Sequence, residues 1–303
     1  MTIKKCKILG APIGTGAGHI GCQLAPDTLR AAGLLDVVSD LGFDVVDLGN
    51  ATLNKIPQIP HSFRAKNLAE AIAWTTELQS AAFNTIKNGD FSIFLGGDHS
   101  VAFGTIPAVA QYAKENDRPL FILWIDAHTD FHTLDSSESG NIHGMPLSYI
   151  TGDPSFSRDF PPLPAKVPYD NICLMGIRSV DALERERIKR AGIETYDMRK
   201  IDELGVFGPL SKFLEKVSQS NGLLHVSLDV DGIDPKIAPA VGTTVPGGLT
   251  YREVHLIMEM LHESNLVTSL DLVELNPLLD TCSKTANLLI ELTASLLGRR
   301  VLS

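Results

Sequence analysis

Long apolar runs are missing from this chain. No stretch is long and apolar enough to cross a bilayer, so no membrane-spanning part is expected. The opening MTIKKCKILGAP has lysines but neither an apolar h-region nor a small-residue cleavage site, so a cytoplasmic location is expected. Cysteine is scarce: Cys6, Cys22, Cys173 and Cys282 are scattered, with no C-x-x-C pair, which favours reduced thiols over a disulfide framework. Positive charge is in deficit. A formal net charge of −10 argues against a nucleic-acid partner and suits a small cationic substrate. Linkers, charge blocks, low-complexity tracts and internal repeats are also absent, so residues 1–303 are expected to form a single domain. The cluster Pro154, Pro161, Pro162, Pro164 and Pro168 then reads as a long loop inside that domain.

What is present is an alternation. Short apolar, β-rich runs occur at Lys5–Leu9, Asp44–Leu48, Phe91–Leu95, Leu120–Ile125, Ile172–Ile177, Glu194–Tyr196, Leu223–Leu228 and Val267–Val273. Helical patterns lie between them at Pro26–Ser39, Lys66–Lys87, Ile106–Glu115, Asp181–Ala191, Pro209–Gln219 and Tyr251–His262, and a last one at Cys282–Leu297 closes the chain. The expected fold is α/β: a three-layer αβα domain around a central, mostly parallel eight-stranded sheet. Several strands are apolar at every position, as strands buried on both faces must be.

Ligands of such sheets collect beyond the carboxyl ends of the strands. Phe91–Leu95 leads into Gly96, Gly97, Asp98 and His99, and Leu120–Ile125 into Asp126, His128 and Asp130. Leu223–Leu228 leads into Asp229 and Asp231, and the strand from Val267 ends in Glu274 and Asn276. In extended chain every second side chain shares a face, so Asp126, His128 and Asp130 converge. An isolated H-x-D or D-x-D is more often a turn or cap than a ligand. Delivered together at one sheet edge, these groups read as a metal site.

His99, Asp126, His128, Asp130, Asp229 and Asp231 are more ligands than one octahedral ion needs if it is to keep a water. The four carboxylates among them balance two divalent cations, and oxygen-rich ligation with two imidazoles suits Mn²⁺. Two such ions about 3.5–4 Å apart share one hydroxide near neutral pH, so the expected chemistry is hydrolysis.

The chain resembles the arginase (ureohydrolase) superfamily. The resemblance rests on GGDHS at 96–100, DAHTD at 126–130, SLDVDGIDP at 227–235 and E-x-N-P at 274–277, with APDTLRAAGLL at 25–35 similar to the family's opening. It implies two Mn²⁺ per subunit, one held by His99, Asp126, Asp130 and Asp229, the other by His128, Asp126, Asp229 and Asp231. Asp126 and Asp229 would bridge. The stretch SGNIHG at 139–144 resembles arginases proper. It implies that Ser137, Ser139 and Asn141 receive the α-carboxylate of L-arginine, that Asp181 faces the α-amino group with Glu184 one turn on, and that Thr243 and Glu274 surround the guanidinium. By the same resemblance His143 shuttles a proton, Asp130 takes one from the hydroxide, and the products are L-ornithine and urea. Asp181 and Glu184 are also good first-turn helix acids.

His132 departs from the family pattern, standing where typical arginases carry an asparagine that helps hold the α-carboxylate. A histidine there either replaces that hydrogen bond or signals another substrate tail, as in formiminoglutamase, agmatinase or another guanidine hydrolase. The family implies a homo-oligomer, a trimer or hexamer, although the stretch Arg299–Ser303 lacks the extended tail that ties some family trimers together.

Overall fold

A computed structural model describes residues 4–59 and 65–300. All the expected strands form: β1 (Lys5–Ala11), β2 (Asp44–Asn50), β3 (Phe91–Gly96), β4 (Leu120–Ile125), β5 (Ile172–Ile177), β6 (Glu194–Asp197), β7 (Leu223–Asp229) and β8 (Val267–Val273). They make one sheet in the order β2-β1-β3-β8-β7-β4-β5-β6. Every pairing between neighbours is parallel, so the expected "mostly parallel" sheet is wholly so.

β4 shows why its sequence has no polar alternation. Phe121, Leu123 and Ile125 enter one apolar core, whereas Leu120, Ile122 and Trp124 enter another on the opposite face. The helices supply both cores. They are α1 (Ala25–Ala31), α2 (Leu34–Asp40), α3 (Leu68–Ile86), α4 (Ala102–Glu115), α5 (Pro146–Ile150), α6 (Ala182–Ala191), α7 (Met198–Leu204), α8 (Phe207–Gln219), α9 (Tyr251–Ser264) and α10 (Lys284–Leu296). Helices α1, α2 and α7 to α10 bury side chains with the first set of β4 residues, and α3 to α6 with the second. The result is the three-layer αβα arrangement.

The helix expected over Pro26–Ser39 is two helices. Gly33, at φ 95°, takes the left-handed conformation that only glycine adopts freely, and the chain turns there between α1 and α2. Helix α4 starts earlier than expected, at Ala102, because a 3-10 turn over His99–Val101 feeds into it. The short α5 and α7 carry too few residues to show a helical period. The proline-rich segment is fixed by aromatics: Phe156 and Phe160 pack their rings on Phe103 and Tyr149 at centroid distances of 5.1–5.9 Å. Among the described residues no helix is long and apolar enough to cross a membrane. Residues 1–3 of the expected domain and 301–303 of its tail lie outside the described residues.

Candidate metal centre and substrate pocket

Strands β3, β8, β7 and β4 are consecutive neighbours in the sheet, and their carboxyl ends carry the singled-out residues. After β3, Asp98 caps the 3-10 turn by accepting the Ser100 N–H at 3.1 Å. Its other oxygen accepts the Gly16 and Ala17 N–H groups at 2.8 and 3.0 Å, tying the loop after β1 to the turn that carries His99.

His99 Nδ1 faces three carboxylate oxygens: Asp126 Oδ2 at 3.1 Å, Asp130 Oδ2 at 3.2 Å and Asp229 Oδ2 at 3.1 Å. A ring nitrogen with one hydrogen or one lone pair satisfies only one of them, so the group fits a shared cation better than a set of hydrogen bonds. His128 Nδ1 faces Asp231 Oδ2 at 3.1 Å and Asp126 Oδ1 at 3.5 Å. Asp126 therefore points one oxygen to each histidine. Asp229 was expected to bridge as well; here its Oδ1 accepts the Asp231 N–H at 2.7 Å.

Burial pushes the Asp130 carboxyl up to about 7, with neighbouring Asp126 adding repulsion. Burial and neighbouring carboxylates also raise Asp229 and Asp231. Burial works against charge at Asp126 too, but hydrogen bonds from His128 and His99 overcome it and hold that carboxyl low. Burial opposes protonation of His99 and His128, yet the surrounding carboxylates raise both, His128 to about 12. Without divalent ions these groups balance their charge by holding protons, which a cation of sufficient charge displaces. Four carboxylates and two imidazoles with no thiolate are the donors of a hard to intermediate divalent ion, and the residues fit a two-metal centre.

Two residues that the sequence reading passed over hold the ligands. Trp124 stacks on His99 at 4.0 Å between ring centroids and 9° between planes, and its Nε1–H donates to Asp126 Oδ2 at 2.9 Å. Ser227 Oγ sits 2.8 Å from His99 Nε2, so with Nδ1 on a metal the Nε2–H donates to Ser227. Trp124 and Ser227 each precede a ligand by two positions, so strand periodicity alone carried the signal.

A cavity of about 110 Å³ opens beside the ligands. It is lined by His128, Asp130, His132, His143, Gly144, Glu184, Asp229, Asp231 and Thr243. Thr243 donates its hydroxyl to Asp231 Oδ2 at 3.0 Å. His143 Nδ1 lies 2.8 Å from Glu274 Oε1, which also accepts the His99 N–H at 2.8 Å. Burial works against the His143 cation, but the attraction of Glu274 prevails and pushes it up to about 9. Burial likewise penalises Glu274, whose carboxyl His143 nevertheless holds below its usual range. Asp130 (φ 45°) and Glu274 (φ 67°) both take left-handed backbone, a cost of about 1–3 kcal/mol for a non-glycine residue.

Among the expected substrate residues, His132, Glu184 and Thr243 line the cavity, whereas Ser137, Ser139, Asn141, Asp181 and Glu274 are outside its lining. His132 Nε2 lies 2.9 Å from Asp181 Oδ2 and 3.4 Å from Glu184 Oε2. The other Asp181 oxygen caps α6 by accepting the Glu184 N–H at 2.9 Å. Glu184 Oε1 accepts the Thr129 hydroxyl and the Phe131 N–H at 2.8 and 3.0 Å. Ser137 and Ser139 accept N–H groups of their own loop, from Gly140 and Asn141. Asn141 Oδ1 accepts from Lys66 Nζ at 3.0 Å.

The profile of the family described as "Arginase family" matches residues 4–298. The chain belongs to the arginase family. An arginase of Brucella melitensis biotype 1 is 54% identical over 298 residues, covering 98% of this chain and 97% of its own. The native structure of the Bacillus caldovelox arginase is 37% identical, with a TM-score of 0.91 over 99% of this chain and 100% of its own. Entamoeba histolytica arginase, solved in complex with L-ornithine, is 28% identical with a TM-score of 0.88, covering 99% of this chain and 100% of its own. Family membership and the two overlapping His/Asp clusters together make this a binuclear metal site.

Proposed function

We propose that this chain is a manganese-dependent arginase, hydrolysing L-arginine to L-ornithine and urea. The observation that carries the proposal is the pair of ligand clusters sharing Asp126 beside a small, polar-lined cavity, in a chain of this family. His99, Asp126, Asp130 and Asp229 would hold one Mn²⁺, and His128, Asp126, Asp229 and Asp231 the other. Bound there, the ions would lower the pKa of a water and polarise the substrate.

The chain's own groups do the rest. Thr243 and Glu274 are assigned to the guanidinium, Glu274 supplying the compensating charge. Asp130 borders the cavity and accepts a proton from the water that adds to the guanidinium carbon. The C–N bond to the side-chain nitrogen then breaks, and the leaving amine needs a proton. His143 borders the same cavity, with Glu274 Oε1 2.8 Å away to stabilise its cation, so it is the assigned donor. Ser137, Ser139, Asn141 and His132 are assigned to the α-carboxylate, and Asp181 and Glu184 to the α-amino end. We further read the chain as a single-domain cytoplasmic enzyme that assembles as a homotrimer or hexamer; light scattering on the purified protein tests the assembly.

Urea release from L-arginine by the Mn²⁺-loaded protein tests the activity. No urea above a His128→Ala control overturns it. A second reading keeps the chemistry and changes the substrate tail to that of formiminoglutamate, agmatine or another guanidino compound. It is favoured by His132, which occupies the Asp181 oxygen that an α-ammonium would use. Comparing turnover of arginine, agmatine, guanidinobutyrate and formiminoglutamate decides between them, and a dominant preference for arginine removes the second reading.

A further inference from the structure

Arg178 follows β5 and is half-buried behind the metal ligands. Its guanidinium meets five backbone carbonyls. Nη2 donates to Asp231 O at 2.7 Å, Ile233 O at 3.4 Å and Val245 O at 2.6 Å. Nη1 donates to Gly176 O and Gly232 O, both at 3.1 Å, and Nε to Val245 O at 3.0 Å. Its backbone N–H, with that of Ser179, donates to Ala127 O at 2.9 Å. Ala127 stands between ligands Asp126 and His128, Asp231 is itself a ligand, and Val245 lies two residues past Thr243, which bonds Asp231. One residue thus joins both ligand turns of the His128 half and the loop that braces it.

Asp126 and Asp229 are common to both positions, but His99 and Asp130, the ligands particular to the other one, make none of these contacts with Arg178. The His99 ring is held by Trp124 and Ser227 instead. The space for the fork is specific too. A Cβ on Gly248 would lie 2.6 Å from Arg178 Nη2 and 2.7 Å from the backbone Asp234 N and Ile233 C, so a larger residue there crowds the guanidinium and the adjoining backbone together. Burial lowers the Arg178 pKa, while Asp231, Asp126, Asp234 and Asp229 pull it back up, so the cation also faces the negative charge of the cluster.

We propose that Arg178 is a positioning residue whose planar fork sets the Asp231 and Thr243 turns, and that it governs occupancy of the His128–Asp231 metal position specifically. Arginine is needed because its donors lie in a fixed plane. A lysine keeps the charge but presents a compact ammonium on a flexible stem, unable to span Gly176, Asp231 and Val245 together.

The inference rests on the two-metal reading, and one titration separates the two. Metal-free wild-type protein is titrated with Mn²⁺ by calorimetry, with bound metal counted after desalting; fewer than two ions per wild-type chain defeats the two-metal reading itself. Given two, Arg178→Lys is expected to weaken one ion by 10-fold or more and the other by less than 3-fold. The unfolding midpoint of the metal-free variant should stay close to that of the wild type. Two ions bound with wild-type affinity in Arg178→Lys show that charge alone suffices and overturn the proposal. Equal weakening of both ions, or a metal-free midpoint lowered as far as the loaded one, makes Arg178 a general support and also overturns it. Arg178→Gln, which keeps a planar donor group but is too short to span these carbonyls, must show the same one-ion loss should the lysine variant not fold; an unchanged titration there counts against the proposal.

Discussion

The two halves of the metal centre are built from the same residue types and held in different ways. The His99 side chain is 1% exposed, stacked on Trp124 and bonded through its far nitrogen to Ser227. The His128 side chain is 27% exposed and borders the cavity, and its Nδ1 lies 3.1 Å from Asp231 Oδ2 and 3.5 Å from Asp126 Oδ1. One half is part of the core. The other is part of the pocket wall. Rigid, buried ligands favour tight binding, because less ordering is left to be done when the ion arrives. The His99 position is therefore expected to hold its ion more strongly, and the His128 position to be the one that solvent and substrate reach.

The largest effect should come from the residue the halves share. Asp126→Asn removes charge from both clusters at once, so both ions should be lost. Metal-assisted catalysis is worth several kcal/mol, so urea release should fall by about 10³-fold or more. Metal analysis beside the urea assay checks this. Retention of one ion at wild-type affinity would show that the halves are less dependent on Asp126 than its two short contacts indicate.

Next come the histidines themselves, compared in metal-free protein. His99→Ala takes a protonated ring from among three buried carboxylates, a loss of about 3–5 kcal/mol for a broken buried charge pairing. His128→Ala removes a partly exposed ring, and about 1.5–3 kcal/mol is expected for its charged hydrogen bonds. Urea unfolding of the two variants measures the gap. Equal destabilisation removes the distinction between core and wall on which the comparison stands.

The part of this comparison that was legible beforehand follows from strand geometry. β3, β4, β7 and β8 read as apolar runs because both of their faces are covered. The ligands read out because period two brings Asp126, His128 and Asp130 to one face beyond β4. The same periodicity pointed at Trp124 and Ser227, but a tryptophan in an apolar strand looks like any core residue until its N–H is seen to have an acceptor. Contacts between distant loops had no local signal. His132 with Asp181, Glu274 with His143, and the Arg178 fork each join segments whose relative placement only the folded chain specifies. The break at Gly33 was hidden for a simpler reason, since a single glycine in a periodic stretch is compatible with a continuous helix.

Smaller effects should come from the groups behind His99. Ser227→Ala removes the acceptor that orients the ring, and Trp124→Phe keeps the stack while deleting the N–H on Asp126. Partners of this kind change metal affinity by about 10–100-fold, with the lower end expected for Trp124→Phe. Competition against a chelating dye, read for each ion, tests it. The loss should fall on the His99 position. A loss confined to the weaker ion would reverse the assignment of which half is tight.

The smallest effect concerns His143 in the wall and Glu274 behind it, which hold one another's charge. His143 is raised from 6.5 to about 9, so the folded state binds its proton more tightly than the unfolded chain does. Its contribution to stability is complete below about pH 6.5 and is lost as pH rises through about 9. Glu274 is lowered from 4.5, so its contribution is present above that value and is lost as pH falls through the lowered pKa. The pair thus stabilises most between the ordinary values of its members and weakens toward alkaline pH. Glu274→Gln removes the charge that raises His143 while keeping a similar shape, and burial then acts on the ring with less opposition. In metal-free protein followed by NMR, the His143 midpoint should move from about 9 toward its ordinary 6.5 or below. A midpoint unmoved by the substitution would assign the shift to Asp130 and Asp98, the other carboxylates acting on the ring, and would make His143 an extension of the metal cluster instead of a separate proton carrier in the wall.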